Sequence, residues 1–296
     1  MGLAINHNLM AANTANNLNS HYEKLSVSTQ RLSSGLRINS AADDAAGLAI
    51  RELQRTEIAA LQQGSRNASD AISLIQTADG ALGVIDEKLT RMKELAEQAA
   101  TGTYDSTQRL MIESEYQAMA SEITRIANAT DFNGIHLLDG NLQSNVHNGS
   151  RLTPTGKLKV HFGSGNDSAE DYYYIQIGTS TASALGVGNE AVSTDGRTIS
   201  TQEAAQKALV AVTNAVVSKD KIRAHLGALQ NRLENTVSNL TTQAENLQAA
   251  ESRISDVDVA TEMTKFVRNQ ILTQSSVAML SQANSMPKMA MQLIGG

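Results

Sequence analysis

The sequence predicts a mainly α-helical fold: a long coiled-coil or helical-bundle rod, with N- and C-terminal helices paired and a small β-hairpin insert. Three observations carry this. Apolar residues step by alternating threes and fours in three stretches. These are Ile75, Ala78, Leu82, Ile85, Leu89, Met92, Ala96 and Ala99; then Ile112, Tyr116, Met119, Ile123 and Ile126; then Leu226, Leu229, Leu233, Val237, Leu240, Ala244 and Leu247. Heptad-like stripes of this kind mark helices packed side by side. The chain is 41% hydrophobic but only 3% aromatic, with no Trp. That balance fits layers of Ala, Leu, Ile and Met over an extended interface, not an aromatic-filled core. Prolines stand only at positions 154 and 287, so nothing in residues 1–153 forbids continuous helix on proline grounds.

The elements follow in order. Residues 1–43 read as a terminal helix with Leu18, Tyr22, Leu25, Leu32 and Leu36 at helical spacing. Its first 22 residues contain no Lys, Arg, Asp or Glu. Ser40 and Asp43 read as a capping box before a helix from Asp44 to about Ala100, roughly 80 Å long at 1.5 Å per residue. Gly102 and residues 104–106 form a turn into a helix from about Ser106 to Ala129. Between Asp131 and about Ser200, Gly, Asn, Ser and Thr are dense. Gly156–Phe162 and Tyr172–Ile177 alternate as strands do, predicting one or two short hairpins. Ser200 with Glu203, and Ser255 with Asp258, read as boxes opening the last two helices. The expected domains are a terminal one, residues 1–43 with 256–296, and a bundle over 44–255 carrying the insert at about 140–200.

The two ends carry the functional signal. From Asn269 to Gly296 the only charged side chain is Lys288, yet Ile271, Val277, Leu280, Met286 and Leu293 keep helical spacing. A helix that stays in water usually carries charge on its outer face. Uncharged amphipathic ends imply segments buried against each other and against copies of the chain. The candidate assembly residues are Leu18, Leu25, Leu32, Leu36, Ile271, Val277, Leu280 and Leu293.

Other function classes find little support. No cysteine is present, which excludes disulfides, thiolate metal sites and cysteine nucleophiles. A net charge of −6 and no basic run argue against nucleic acid. The N-terminus lacks a basic region before an apolar stretch, so no cleaved signal peptide is expected. No apolar run approaches the roughly 18 residues needed to span a membrane. The histidines at 7, 21, 136, 147, 161 and 225 include no i, i+4 pair, so no metal site is expected. Gly163-Ser164-Gly165 lacks the Lys-Ser/Thr of a phosphate cradle, and Asp43-Asp44 reads as helix capping. Asn-x-Ser/Thr matches such as those at 67, 128, 148 and 166 are of a length that arises by chance. The methionines at 279, 286, 289 and 291 read as adaptable packing filler. No residue set points to catalysis or a cofactor. A self-assembling structural subunit and a secreted coiled-coil binding module remain, and the uncharged ends favour assembly.

The stretch Leu32-Ser-Ser-Gly-Leu-Arg-Ile-Asn-Ser-Ala-Ala-Asp-Asp-Ala-Ala-Gly-Leu-Ala-Ile50 resembles the N-terminal signature of bacterial flagellin. So do Asn13–Asn19 and the turn Asp131-Phe132-Asn133-Gly134 followed by Leu137 and Leu138. Ser252–Asp258, Ala260–Met263, Gln270–Leu272 and Gln282–Asn284 are similar to its C-terminal signature. The resemblance covers nearly all of the first 140 and the last 50 residues. It implies a secreted subunit of the extracellular flagellar filament that polymerises with itself, with no enzyme activity. It further implies an export chaperone, filament cap and hook-associated proteins as partners. In that family the paired terminal helices line a narrow axial channel and the bundle forms the next shell. The insert here is short, so no separate outer domains are expected. The alternative within the superfamily is a hook–filament junction protein. The resemblance also implies recognition by an innate Toll-like receptor through an Arg, a Leu four residues on and a Glu on the next helix. Arg91, Leu95 and Glu115 occupy those places.

Overall fold

A computed structural model describes residues 8–148, 156–167, 170–188 and 197–294. The order is α1 (Leu9–Ser34), α2 (Ala45–Ala100), α3 (Ser106–Ala129), β1 (Asp131–Phe132), β2 (Ile135–His136), β3 (Leu158–His161), β4 (Tyr172–Ile175), α4 (Ala182–Leu185), α5 (Gln202–Ser255) and α6 (Val259–Ile294). The chain forms two compact units. One comprises the chain up to Ile58 and from Glu245 onward; the other runs from Ala59 to Ala244.

In the second unit the predicted stripes form the core. Leu82, Ile85, Leu89 and Met92 of α2 are fully buried, as are Tyr116 and Ile123 of α3. From α5 the same core takes the small Ala205, Ala208, Val212 and Ala215, then Leu226, Leu229 and Leu233. Alanine layers let helix backbones approach closely, which is why so few aromatics fill this core. Tyr116 is the exception, and its burial pushes the phenol pKa upward.

The four helix starts are built differently from one another. Asp105 caps α3 in a reciprocal box with Gln108. The other three differ from the sequence reading. Asp43 is occupied by the Asn39 and Ser40 amides, so Asp44 caps α2, accepting from the Gly47 amide at 2.9 Å. Ile199 is buried and its amide donates to Glu113, which holds the chain extended past Ser200. Thr201 therefore caps α5, its hydroxyl accepting from the Ala204 amide at 3.2 Å. Ser255 is the last residue of α5 and cannot cap α6. Asp258 does so, accepting from the Ala260 and Thr261 amides.

The insert holds two antiparallel hairpins. β1 and β2 turn at Asn133 (φ 51°) and Gly134 (φ 78°), the left-handed pair that a two-residue hairpin requires. β3 and β4 pair Leu158 with Ile175 and His161 with Tyr172. Val160 and Ile175 face the core, and Lys159 and Tyr174 form a pair on the other face. At Gly64 the hairpin meets α2 so closely that a Cβ would lie 1.9 Å from the Phe162 carbonyl oxygen. The Asn67 amide donates to the His161 carbonyl at 2.8 Å beside it. The short helix α4 had no sequence signal.

Two ion pairs tie α5 to α2. Lys219 is 2% exposed, its Nζ 2.5 Å from Asp86 and 2.7 Å from Asp220. Arg223 forks onto both oxygens of Asp79 at 2.7 and 3.1 Å, and this hydrogen bonding holds the Asp79 carboxyl below its ordinary pKa. Asp86→Ala should leave a buried ammonium with one largely exposed partner. It should cost about 1.5–3 kcal/mol, as for other hydrogen bonds to charged groups. Lys219→Met keeps the buried stem without the charge and should cost less. Urea unfolding of both variants checks the order. A larger loss from Lys219→Met would place the stabilisation in the stem, not in the pairing.

Candidate assembly site

The signature stretch after α1 builds a clasp between the helix connectors. Gly35 closes α1 in the left-handed conformation (φ 72°), its amide donating to the Arg31 carbonyl. The chain then pairs antiparallel with the α5–α6 connector through Leu36 and Asp256. The Arg37 amide donates to the Ser255 carbonyl at 2.7 Å, and the Val257 amide to the Gly35 carbonyl at 3.0 Å. The Arg37 guanidinium takes the Ile254 carbonyl through Nε (3.2 Å) and Nη2 (2.8 Å). The carbonyls that end α5 have no helical donor of their own, and Arg37 supplies two of them. Ile38 is 2% exposed, and its carbonyl accepts from Arg51 at 2.8 Å. A Cβ on Gly47 would lie 2.5 Å from Asp44 Oδ2 and 2.7 Å from Ile38 Cδ1, so a side chain here would make both shift.

α1 and α6 then run antiparallel, with two polar pins setting their register. Ser28 donates to Glu262 at 2.7 Å, both residues 3% exposed. At the far end Pro287 sits inside α6 and has no N–H, so the Ala283 carbonyl loses its helical donor. Asn8 Nδ2 donates to that carbonyl at 2.8 Å, while its Oδ1 caps α1 by accepting from the Ala11 amide. One side chain therefore satisfies groups on both helices. Between the pins, α1 places Leu18, His21 and Leu25 inward, with Leu32 one turn beyond Ser28, and α6 places Phe266, Asn269, Thr273 and Leu280 inward.

Of the sequence candidates, Leu18, Leu25, Leu32, Leu36 and Leu280 are half-buried. Ile271 is 57% exposed and Val277 47%, on α6 surface that α1 does not cover. Leu293 lies in the last turn of α6, and its side chain is outside the described residues. Sequence reasoning missed Asn8, Ser28, Glu262 and Arg37. A proline inside a helical pattern does announce one unserved carbonyl four residues earlier, which was the available signal for Asn8. In the other unit, Arg91 and Glu115 form an exposed ion pair at 2.8 Å, with Glu94 a second partner at 3.0 Å. Leu95 is 1% exposed and packs into the bundle core.

Burial works to raise the Glu262 pKa. Hydrogen bonds from Ser28 and Lys265, with the charges of Lys265 and Arg31, outweigh it and hold the carboxyl below its ordinary value. A depressed folded pKa contributes stability that is present above the unfolded value, 4.5, and is lost as pH falls through the folded one. Hydrogen exchange of α1 amides should therefore accelerate as pH drops below 4.5, after correction for intrinsic exchange. Glu262→Gln should flatten that rise. An unchanged pH profile in the variant would assign the acid sensitivity to other carboxylates of the unit, such as Asp43 or Asp258.

The geometry of both chain ends has counterparts in known proteins. The bacterial flagellin N-terminal helical region matches residues 5–143, and the C-terminal helical region matches residues 209–294. The flagellin of Bacillus subtilis is 42% identical over 309 aligned positions, covering 99% of this chain and all of that protein. The flagellar filament 33 kDa core protein of Treponema phagedenis is 41% identical over 295, with the same coverage. Among solved structures, a putative flagellar hook-associated protein from Vibrio parahaemolyticus shares the fold, with a TM-score of 0.56 at 14% identity over 72% of this chain and all of that one. The clasp and both pins lie within the matched regions, and relatives align from end to end, so the chain belongs to the bacterial flagellin family.

Proposed function

We propose that this flagellin, a structural subunit of the flagellar filament, polymerises through the face of α6 that α1 leaves open. One observation carries the reading. Apolar residues are spread around all sides of α6, with Val267 and Ile271 exposed opposite its seam with α1 and Val259 and Leu272 exposed beside it. Large apolar side chains left exposed along one helix mark surface that another molecule covers. A second copy of the chain supplies the missing cover, because the surface of every subunit is the same and a helical polymer repeats one contact. On this reading residues 1–43 and 256–296 form the inner shell and 44–255 the next, with no outer domain beyond the short insert. Few charges at both ends suit an axial channel through which unfolded subunits pass, since fixed charges there would hold passing ones. The subunit leaves the cell by that route. An export chaperone covers its ends beforehand, and the cap and hook-associated proteins bracket the filament.

Extension of sheared filament seeds by purified monomer tests the assembly face. Ile271→Asp places a carboxylate where a neighbouring copy should sit, at a cost of several kcal/mol for an unpaired buried charge. It should leave monomer helix content unchanged and stop extension. Extension at the wild-type rate would remove α6's open face from the contact.

Recognition by a Toll-like receptor rests on the exposed Arg91–Glu115 pair. Arg91→Ala with Glu115→Ala should reduce reporter-cell activation by monomer more than tenfold, since charged anchors in interfaces cost about 2 kcal/mol or more each. Leu95 is left in place because its removal would open a core cavity. An undiminished response would end this reading.

A further inference from the structure

We propose that the methionines on the open faces of α1 and α6 form an oxidation site that controls assembly. Peroxide would act on the free subunit and leave it unable to join a filament. The proposal rests on the assembly reading above. The chain has ten Met and no Cys, so thioether is its only sulfur. These side chains are not equivalent. Met92 is fully buried in the bundle. Met10 is 53% exposed, Met263 44%, Met279 57% and Met289 48%, all on the paired terminal helices. Of the clustered methionines near the chain end, Met279 and Met289 therefore lie outside the seam, while Met286 is half-buried.

Their placement ties them to the contact. Met263, Val267 and Ile271 follow one another at intervals of four, forming one ridge along α6. Met279 continues the same interval two steps beyond Ile271, and Met289 lies five turns beyond Ile271 on the same side of the helix. An exposed thioether accepts an oxygen atom from hydrogen peroxide. The sulfur lone pair attacks the peroxide, the O–O bond breaks, and the displaced hydroxide leaves as water after proton transfer. Sulfur is oxidised by two electrons and the peroxide is reduced. The product sulfoxide is a polar, chiral acceptor in place of a flexible apolar side chain. On a surface that must become dry against a second copy, an acceptor without a donor is unfavourable. Subunits already in a filament would have these sulfurs covered, so the same oxidant should spare them.

The test treats wild-type monomer with hydrogen peroxide, removes the excess with catalase, maps sulfoxides by peptide mass spectrometry and adds the protein to filament seeds. Untreated monomer runs beside it. Its failure to extend would refute the assembly reading itself, while the oxidation arm addresses this site alone. Sulfoxide should appear at Met10, Met263, Met279 and Met289 before Met92. Extension should fall about tenfold or more, the factor that one unpaired buried polar group costs. Methionine sulfoxide reductases should restore it. This arm uses only the native sequence and needs no variant to fold. A protein with Met10, Met263, Met279 and Met289 all changed to Leu should extend equally before and after treatment. The proposal is overturned if monomer oxidised at these positions extends normally, if reduction restores nothing, or if the leucine variant loses as much activity on treatment as wild type.

Discussion

α6 has no polar side, and α1 can cover only one of its faces. That constraint governs the terminal unit. Apolar contact alone brings two such helices together without choosing how far one slides along the other. The choice falls to polar groups that are costly to leave unmatched. Ser28 with Glu262, and Asn8 with the Ala283 carbonyl, are satisfied in one register only. Pro287 contributes by what it lacks, because its missing amide creates the acceptor that Asn8 finds. At the other end the clasp of Gly35, Arg37, Ser255 and Val257 ties both connectors together by backbone hydrogen bonds. Residues 275 positions apart in sequence are thereby held in a fixed relation.

The bundle unit solves a different problem. It closes its own core with close-packed Ala and Leu layers. Its polar devices also differ in kind. Lys219 is buried almost completely, but two carboxylates meet it, and Arg223 forks onto Asp79 beside it. Salt bridges of this sort add little net stability over apolar packing, and they penalise mismatched pairings of α2 with α5. In the terminal unit the matching penalty falls on hydrogen bonds, because charge is almost absent from the outer turns of both helices.

Legibility in the sequence followed the length scale of the signal. Helices of more than twenty residues repeat their pattern many times, and α3 was readable to the residue at both ends, Ser106 and Ala129. Caps are single-residue events and were displaced where another contact intervened. Asp43 is drawn into a turn by the Asn39 and Ser40 amides just before it, and Ile199 is held by Glu113, a contact that leaves no local trace. At the candidate site, helical spacing identified apolar residues but not which face each would take. A helix that is apolar all round offers no contrast, so Leu280 turned to the seam and Ile271 away from it. Leu95 shows the complementary ambiguity. Its spacing from Arg91 placed it on the bundle helix, but only packing shows that it is buried while Arg91 is exposed. Ser28, Glu262 and Asn8 lie outside every apolar pattern, and such residues come to notice only when the partner helix is in place.

The division between pins and apolar face has a physical consequence for a self-assembling chain. A subunit that meets its neighbours only on assembly need not carry a large preformed core at its ends. Helix formation there is marginal without packing. Polar pins define the geometry of the helix pair cheaply in area, since each needs only one or two atoms in register. The apolar face then contributes its burial energy only once a neighbour arrives, and in proportion to the area covered. Register is thus decided within the subunit, and assembly through the open face of α6, as proposed, would add further stabilising area between subunits. An end built the other way, with an apolar seam and a polar outer face, would fold more firmly alone and would leave a neighbouring copy little to bind.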